Sequence, residues 1–439
     1  MYFDTPFIMT LHRFFPNATR WAPTVGFLCM SLSLIASSFS ETTTHLIITQ
    51  GVLYALAGSI CYCPCIVYLD EWFKERKGFA YGVMWAGTGA GGIGLPMLME
   101  FLLGKYGFRT TLRIWAGCLL ALTLPLVHFI KPRLPVVSHN TFACQSSGRE
   151  SVDNTDKERG SKMDILTRML HNPKATTKAI ARGLGLGYVI QWNFNIYQVA
   201  STVESVGFFL PVIYLTIFAR EFLGADASQA VIPIIVVNAA SVVGLVLLGF
   251  LSDFVDVTSC LLISTAGTVL GTFLVWGFAT RLPTLYLFCG LYGLFAGSYV
   301  AAWPRIMDDV VCSIGKAKQT VASPAPNNET DPDATTISTC PSESDDAAAG
   351  SSGAGGDNDW SSRKARCDRL MVFGFLAFGR GLGNVVSGPL SELLIAKNPW
   401  KDVTQGAFGS QYGLLIVLTG ITALVGGLPW VCKRRGCGL

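Results

Sequence analysis

Charge is what this chain has least of. Asp, Glu, Lys and Arg make up 14% of its 439 residues, against about 25% in an ordinary soluble domain, so a water-soluble globular fold is not the expectation. Catalytic signatures are missing as well. There is no HExxH, no GxSxG and no GK[ST] phosphate loop, and the five histidines do not pair at ligand spacing, so no enzyme class, cofactor or metal site is assigned. Of the thirteen cysteines, the CYCPC run at 61–65 lacks zinc-ligand spacing and an accompanying His, and reads as small apolar filling. Met1 leads into a short apolar run containing Asp4 with no cleavage-site pattern, so no cleavable signal is expected. The net charge of +4 is small and lies mostly in turns, which argues against nucleic acid as a partner.

What the chain does have is long apolar runs. Crossing a bilayer as a helix takes roughly 20 apolar residues. Stretches at about 21–40, 45–69, 78–103, 111–130, 195–222, 229–251, 259–280, 283–305, 371–395 and 412–432 satisfy that. The expected class is therefore an all-α, multi-pass membrane protein whose partner is the lipid bilayer. Residues 1–20 hold an apolar run too short to span, ending in His12, Arg13 and Arg20. Residues 131–194 form a connecting loop whose 131–172 part is polar, and residues 307–370 are rich in Ser, Ala, Gly, Asp, Pro and Thr; 131–172 and 307–370 are expected to be disordered. Basic residues sort to one side: Arg13 with Arg20, the 74–77 turn, Lys131 with Arg133, the 363–369 cluster, and Lys433 to Arg435. That side is expected to be cytoplasmic. It would keep the NAT motif at Asn17 unglycosylated.

The most informative stretch is 68–96, YLDEWFKERKGFAYGVMWAGTGAGGIGLP. A charged turn containing Asp70, Glu71, Arg76 and Lys77 runs into an apolar helix with glycines at short intervals, among them Gly82, Gly87, Gly91 and Gly94. A glycine-lined face lets a second helix approach closely, so these four are expected to be helix-packing positions. Gly87, Gly89 and Gly92 also spell GxGxxG, but no β-strand pattern precedes them and no acidic residue follows at the dinucleotide spacing, which favours packing over nucleotide binding.

The block LDEWFKERKGFAYGVMWAGTGAGG resembles the turn and fifth helix of the monocarboxylate transporter family of the major facilitator superfamily, in particular its fungal branch. KYGFRTTLRIWA at 105–116, GFFLPVIYL at 207–215 and FGFLAFGRGLGNVVSGPLSE at 373–392 extend the resemblance over most of the chain. It implies a major facilitator fold of two six-helix halves with the solute site between them at the bilayer midplane. By the family's count, residues 1–130 hold the end of helix two and helices three to six. Residues 195–306 hold helices seven to ten, and 371–439 hold helices eleven and twelve with a basic tail. About ten of twelve helices are then complete. Lys174 to Asn193 has no counterpart in the family pattern and is expected to be an atypical insert.

The resemblance also implies a carrier for small organic solutes, with or without proton coupling and with monocarboxylates as one option. The alternative is a non-transporting relative, a degenerate carrier or a sensor. The plasma membrane is the default location, the vacuolar membrane the other. Ionisable groups inside spans are costly, so each asks for a reason. Arg380, with Asn384 one turn on, and Glu204, in the seventh helix near Gln198 and Thr202, are the leading candidates for solute or proton coupling, joined by Asn238 and Trp303. Asp253 in GFLSD resembles the superfamily's Gly-x-Leu-x-Asp loop signature, but Phe254 stands where an Arg usually follows. Asp253 is expected to cap or pair with a neighbouring helix end, and together with Asp70, Glu71, Arg76 and Lys77 to act as a conformational turn. In the lactate-carrying animal members, helix eight supplies an Asp and an Arg. At the matching places this chain has Ser241 and Leu245, which leaves lactate itself unsupported.

Overall fold

The computed structural model describes residues 1–14, 19–133, 188–189, 191–322, 355–396 and 406–436. Among these there is no strand. A short helix α1 (Thr5–Phe14) leads to α2 (Ala22–Ser37), α3 (Thr43–Trp72) and a long α4 (Lys77–Val127). The second part has α5 (Trp192–Glu221), α6 (Ala227–Ser252), α7 (Val257–Trp276), α8 (Leu282–Phe295) and α9 (Trp303–Ala322). It closes with α10 (Gly355–Ala396), α11 (Gly413–Gly426) and α12 (Leu428–Arg434).

Eight of the described helical segments are long and apolar enough to cross a membrane. One of them, α4, doubles back on itself. Its 51 residues break at Gly107, whose φ of 73° is left-handed and is a conformation that glycine adopts without a steric penalty. Both ends of α4 then meet the same place. It starts at Lys77 beside the end of α3, and just past its far end Lys131 accepts a hydrogen bond from Trp72 Nε1 at 3.0 Å, while Glu71 accepts from the Arg133 backbone at 3.2 Å. A helix whose two ends adjoin has doubled back. With the 16-residue α2, all ten sequence stretches lie on helices of the matching position.

The basic residues collect at one end of the bundle. Arg133 lies on Trp72, Arg369 on Asp70, and Lys433 pairs with Asp256 at 3.2 Å. At the other end Arg109 approaches Glu41 at 3.9 Å, Arg113 donates to Ser38, and Glu221 accepts from Gln411 and Tyr412.

One correction concerns the polar connections. Disorder was the expectation across 307–370, yet α9 continues to Ala322 and α10 begins at Gly355; Arg369 and Asp308, which pair at 3.0 Å, show that charge at a span's end need not stop a helix. The supposed insert ends inside the core: Tyr188 is fully buried, edge-on to Phe194 at 5.2 Å and to Phe375 at 6.1 Å, and Asn195 donates to the Val189 carbonyl at 2.9 Å. Residues 174–187 and 190 of that segment, with the rest of the loop from 134 on, lie outside the described residues.

Cys61 and Cys63 are buried and free. A Cβ at Gly26 of α2 would lie 2.8 Å from Cys61 Cβ, so the small thiol side chain fits a tight α2–α3 crossing.

Candidate functional site

Two ionisable residues placed inside spans meet at the centre of the second half. Arg380 Nη1 donates to Glu204 Oε2 at 2.9 Å, joining α10 to α5. Both side chains are buried, with 3% and 7% exposure. The guanidinium also lies over the Phe208 ring, 4.3 Å from its centroid, and Phe208 is one turn beyond Glu204 on the same face of α5. Tyr292 of α8 donates to the Phe208 carbonyl at 2.7 Å, and Tyr299 to Gly426 at 3.4 Å, fixing the wall behind the pair. A Cβ at Gly426 would lie 3.5 Å from Glu204 Cγ, so α11 closes on the carboxylate at a position without a side chain. The first residues of the chain lie on the open flank: Phe3 packs on Phe378 at 4.7 Å, and a Cβ at Gly381 would stand 2.8 Å from the Phe3 nitrogen.

The pair is thus inside the second half and faces the seam between halves. A buried pair of this kind gives little net stability, but breaking it is expensive. Its arrangement offers chemistry instead: one cation with one exchangeable carboxylate partner, away from water.

Below it, at the basic end, the two halves are latched. Asp70, with 2% side-chain exposure, takes Lys77 at 3.2 Å and Arg369 of α10 at 3.4 Å; Arg369 also holds Asp308 of α9 at 3.0 Å. Asp253, at the end of α6, accepts the backbone N–H of Gly78 at 2.8 Å and of Phe79 at 2.9 Å. It caps the first turn of a helix in the other half, where free N–H groups and the helix dipole favour an anion. Arg305 holds the end of α6 from the second half, donating to the carbonyls of Ser252 at 2.8 Å and Asp253 at 2.6 Å. Three carboxylates and three cations balance across the seam. Replacing Asp253 with Ala removes the cap, worth about 1–2 kcal/mol. Alkylation of a cysteine introduced at Ser252, which is fully buried against Gly78, should then accelerate about tenfold from the basic side.

Between latch and pair, α4 crosses α6 with backbone nearly touching backbone. A Cβ at Gly78 would lie 2.5 Å from the Gly249 carbonyl oxygen, and one at Gly82 would run into the Leu245 carbonyl. Gly89 faces Val242 and Gly92 faces Asn238. Of the four glycines expected to pack, Gly82 lies on this contact face, and the expectation needs correction for Gly87, Gly91 and Gly94. Gly87 and Gly94 have no atom of another element nearby, and Gly91 has only Leu95 of its own helix. The contact stripe runs 78, 82, 89, 92, intervals of four, seven and three that hold one helical face. Gly87 is five residues from Gly82 and so faces elsewhere.

Other expected site residues are placed differently. Gln198 donates to the Phe375 carbonyl at 2.9 Å, and Asn238 to Gly92 at 3.3 Å and Ile234 at 2.9 Å; both stitch helices together and do not reach the pair. Asn384 is half-buried, and its Oδ1 has no hydrogen-bond partner among the described residues. Trp303 is fully buried, edge-on to Trp85 at 6.3 Å and to Phe373 at 5.4 Å. Of the turn residues, Asp70 and Lys77 join the latch, Glu71 binds Arg133 within the first half, and Arg76 is exposed. Arg305 and Asp308 were not foreseen; the WPRIMDD run, with an arginine and two aspartates ending an apolar span, was the available signal. Ser241 bonds its own helix at Val237, and Leu245 is buried where α6 meets Gly82.

A family model described as Major Facilitator Superfamily matches residues 18–322, more than half of the chain. The chain belongs to the Major Facilitator Superfamily. Within that superfamily it is similar to monocarboxylate transporter 12 of Rattus norvegicus, 27% identical over 297 residues, covering 65% of this chain and 58% of the relative. It is also similar to the MFS-type transporter pytF of Aspergillus terreus, 28% identical over 230 residues, covering 52% of this chain and 64% of the relative. The chain therefore spans less than two thirds of the length of these relatives. A solved structure of the proton:xylose symporter XylE superposes with a TM-score of 0.58 at 11% identity, covering 99% of this chain and 83% of that one. The superfamily's fold, a multi-pass bundle of transport proteins, is thereby this chain's fold.

Proposed function

We propose that this superfamily member is a secondary transporter of small organic monocarboxylates that couples solute to proton by exchange at the Glu204–Arg380 pair. One observation carries this: a buried guanidinium whose carboxylate partner, 2.9 Å away, lies on a different helix. As long as Glu204 is ionised, Arg380 is neutralised from within. When Glu204 takes a proton, the guanidinium is left without an anion in a low-dielectric site, and a solute carboxylate can replace the lost charge bidentately. Proton and solute anion then occupy the site together, and neither alone leaves it balanced. The names of the animal relatives support the carboxylate; the latch at the basic end supports alternating access, since it is a set of contacts that must part for solute to leave on that side.

The plasma membrane is the location we adopt, with the vacuolar membrane as the other candidate. The test is an acid-pulse assay on the full chain in proteoliposomes. Inward monocarboxylate gradients should drive alkalinisation of the external medium. A chain that binds monocarboxylates without moving protons or solute would instead be a sensor.

A further inference from the structure

The aromatic cluster at the seam has more hydrogen-bonding capacity than its packing uses. Trp85 of α4 meets Tyr2 at 6.3 Å, Tyr62 of α3 at 6.0 Å and Trp303 at 6.3 Å, and Trp303 rests on Phe373 of α10. Trp85 and Trp303 are 6% and 0% exposed, yet the indole N–H of each, and the Tyr62 hydroxyl, have no hydrogen-bond partner among the described residues. A buried donor left unmade costs about 1–3 kcal/mol, and three in one cluster point to an acceptor that the protein itself does not provide.

The cluster is aligned with Arg380. Phe373 and Arg380 are seven residues apart on α10, which puts them on one face, two turns and about 10 Å apart along the axis. Tyr2 fills part of the interval: its ring adjoins Trp85, and its carbonyl carbon would lie 3.2 Å from a Cβ at Gly381. One end of this interval is a cation and the other is an aromatic floor with spare N–H and O–H donors.

We propose that the cluster is the second end of the solute site and that the solute is an aryl monocarboxylate bearing an oxygen acceptor on its ring. The carboxylate goes to Arg380, and the ring lies edge-on or offset to the indoles with its oxygen taking a hydrogen bond from Trp85 or Trp303. This rests on Arg380 being the solute's partner as set out above. An arylpropanoate with a para oxygen spans the interval, whereas propanoate reaches one end only.

The experiment is calorimetric titration of the purified full chain in nanodiscs, with Glu204 protonated by working at acid pH. The probes are 3-(4-methoxyphenyl)propanoate, 3-phenylpropanoate and propanoate. The methoxy acid should bind about tenfold more tightly than the phenyl acid, one good hydrogen bond, and the phenyl acid more tightly than propanoate. Trp85→Phe and Trp303→Phe keep an aromatic ring but delete the donor. One of the two should abolish the methoxy preference, bringing the affinities for the methoxy and phenyl acids to within about twofold of each other whatever their absolute values. Propanoate binding as tightly as the aryl acids overturns the proposal and leaves monocarboxylate transport standing. A methoxy preference that is absent, or that survives in both variants, also overturns it. Binding of no acid at all overturns both.

Discussion

Arg380→Ala is expected to abolish monocarboxylate-driven proton flux and to destabilise the protein by roughly 3–5 kcal/mol, the cost of leaving one member of a buried ion pair alone. Glu204 would then sit at 7% side-chain exposure without the cation that pairs with it, inside a bundle where water is scarce. The two effects separate in the double variant Glu204→Gln with Arg380→Gln. Two neutral amides can hydrogen-bond to each other across the same gap, so thermal unfolding in detergent should return most of the way to the parent. Flux should not return, because neither the proton site nor the carboxylate partner survives. If flux came back with stability, the pair would be a structural tie and nothing more.

Gly82→Leu is the second large effect. A side chain at Gly82 meets the Leu245 carbonyl and the Gly249 Cα, the latter 3.3 Å from a modest Cβ alone, so a leucine forces α4 off α6. Overpacking of this kind costs about 1–3 kcal/mol in a closed core, and here it is relieved by opening the seam. Ser252 is fully buried against Gly78. Maleimide labelling of Ser252→Cys from the basic side should rise about tenfold or more in the Gly82→Leu background. Gly87→Leu serves as the comparison: nothing stands within 4 Å of its Cβ position, and labelling should stay at the parent rate. Equal labelling in both would mean that the glycine stripe does not hold the halves together.

How much of this was legible in the sequence depends on whether the cause was local. Spans, their order and the sorting of bases come from hydropathy and charge, which are properties of the segment itself, and all ten stretches lie on helices. The glycine face was only half legible, because α4 carries glycines on two faces and the sequence does not say which one meets α6. Gly82 belongs to the packed face, and Gly87, Gly91 and Gly94 do not. That Glu204 and Arg380 carry a cost inside an apolar helix was legible from the sequence. Their pairing was not, since they are 176 positions apart and nothing in either helix specifies the other. Asp253 shows the same division. Its capping of a helix end follows from its place after GFLS, but the partner helix belongs to the other half, and the nearby cation is Arg305, which the absence of an Arg at Phe254 gave no means of finding. Tyr188 was obscured by its surroundings: a glycine-rich, basic stretch hides one aromatic that becomes fully buried.

The most direct test of proton–solute exchange at this pair is solute-driven proton flux in Glu204→Gln compared with solute counterflow in the same proteoliposomes. A glutamine cannot carry the proton but leaves Arg380 free for a carboxylate. Proton flux should fall to the background of empty liposomes, while counterflow of labelled monocarboxylate, which needs no net proton movement, should persist at a measurable rate. Proton flux in Glu204→Gln equal to that of the parent would contradict the assignment of the coupling site.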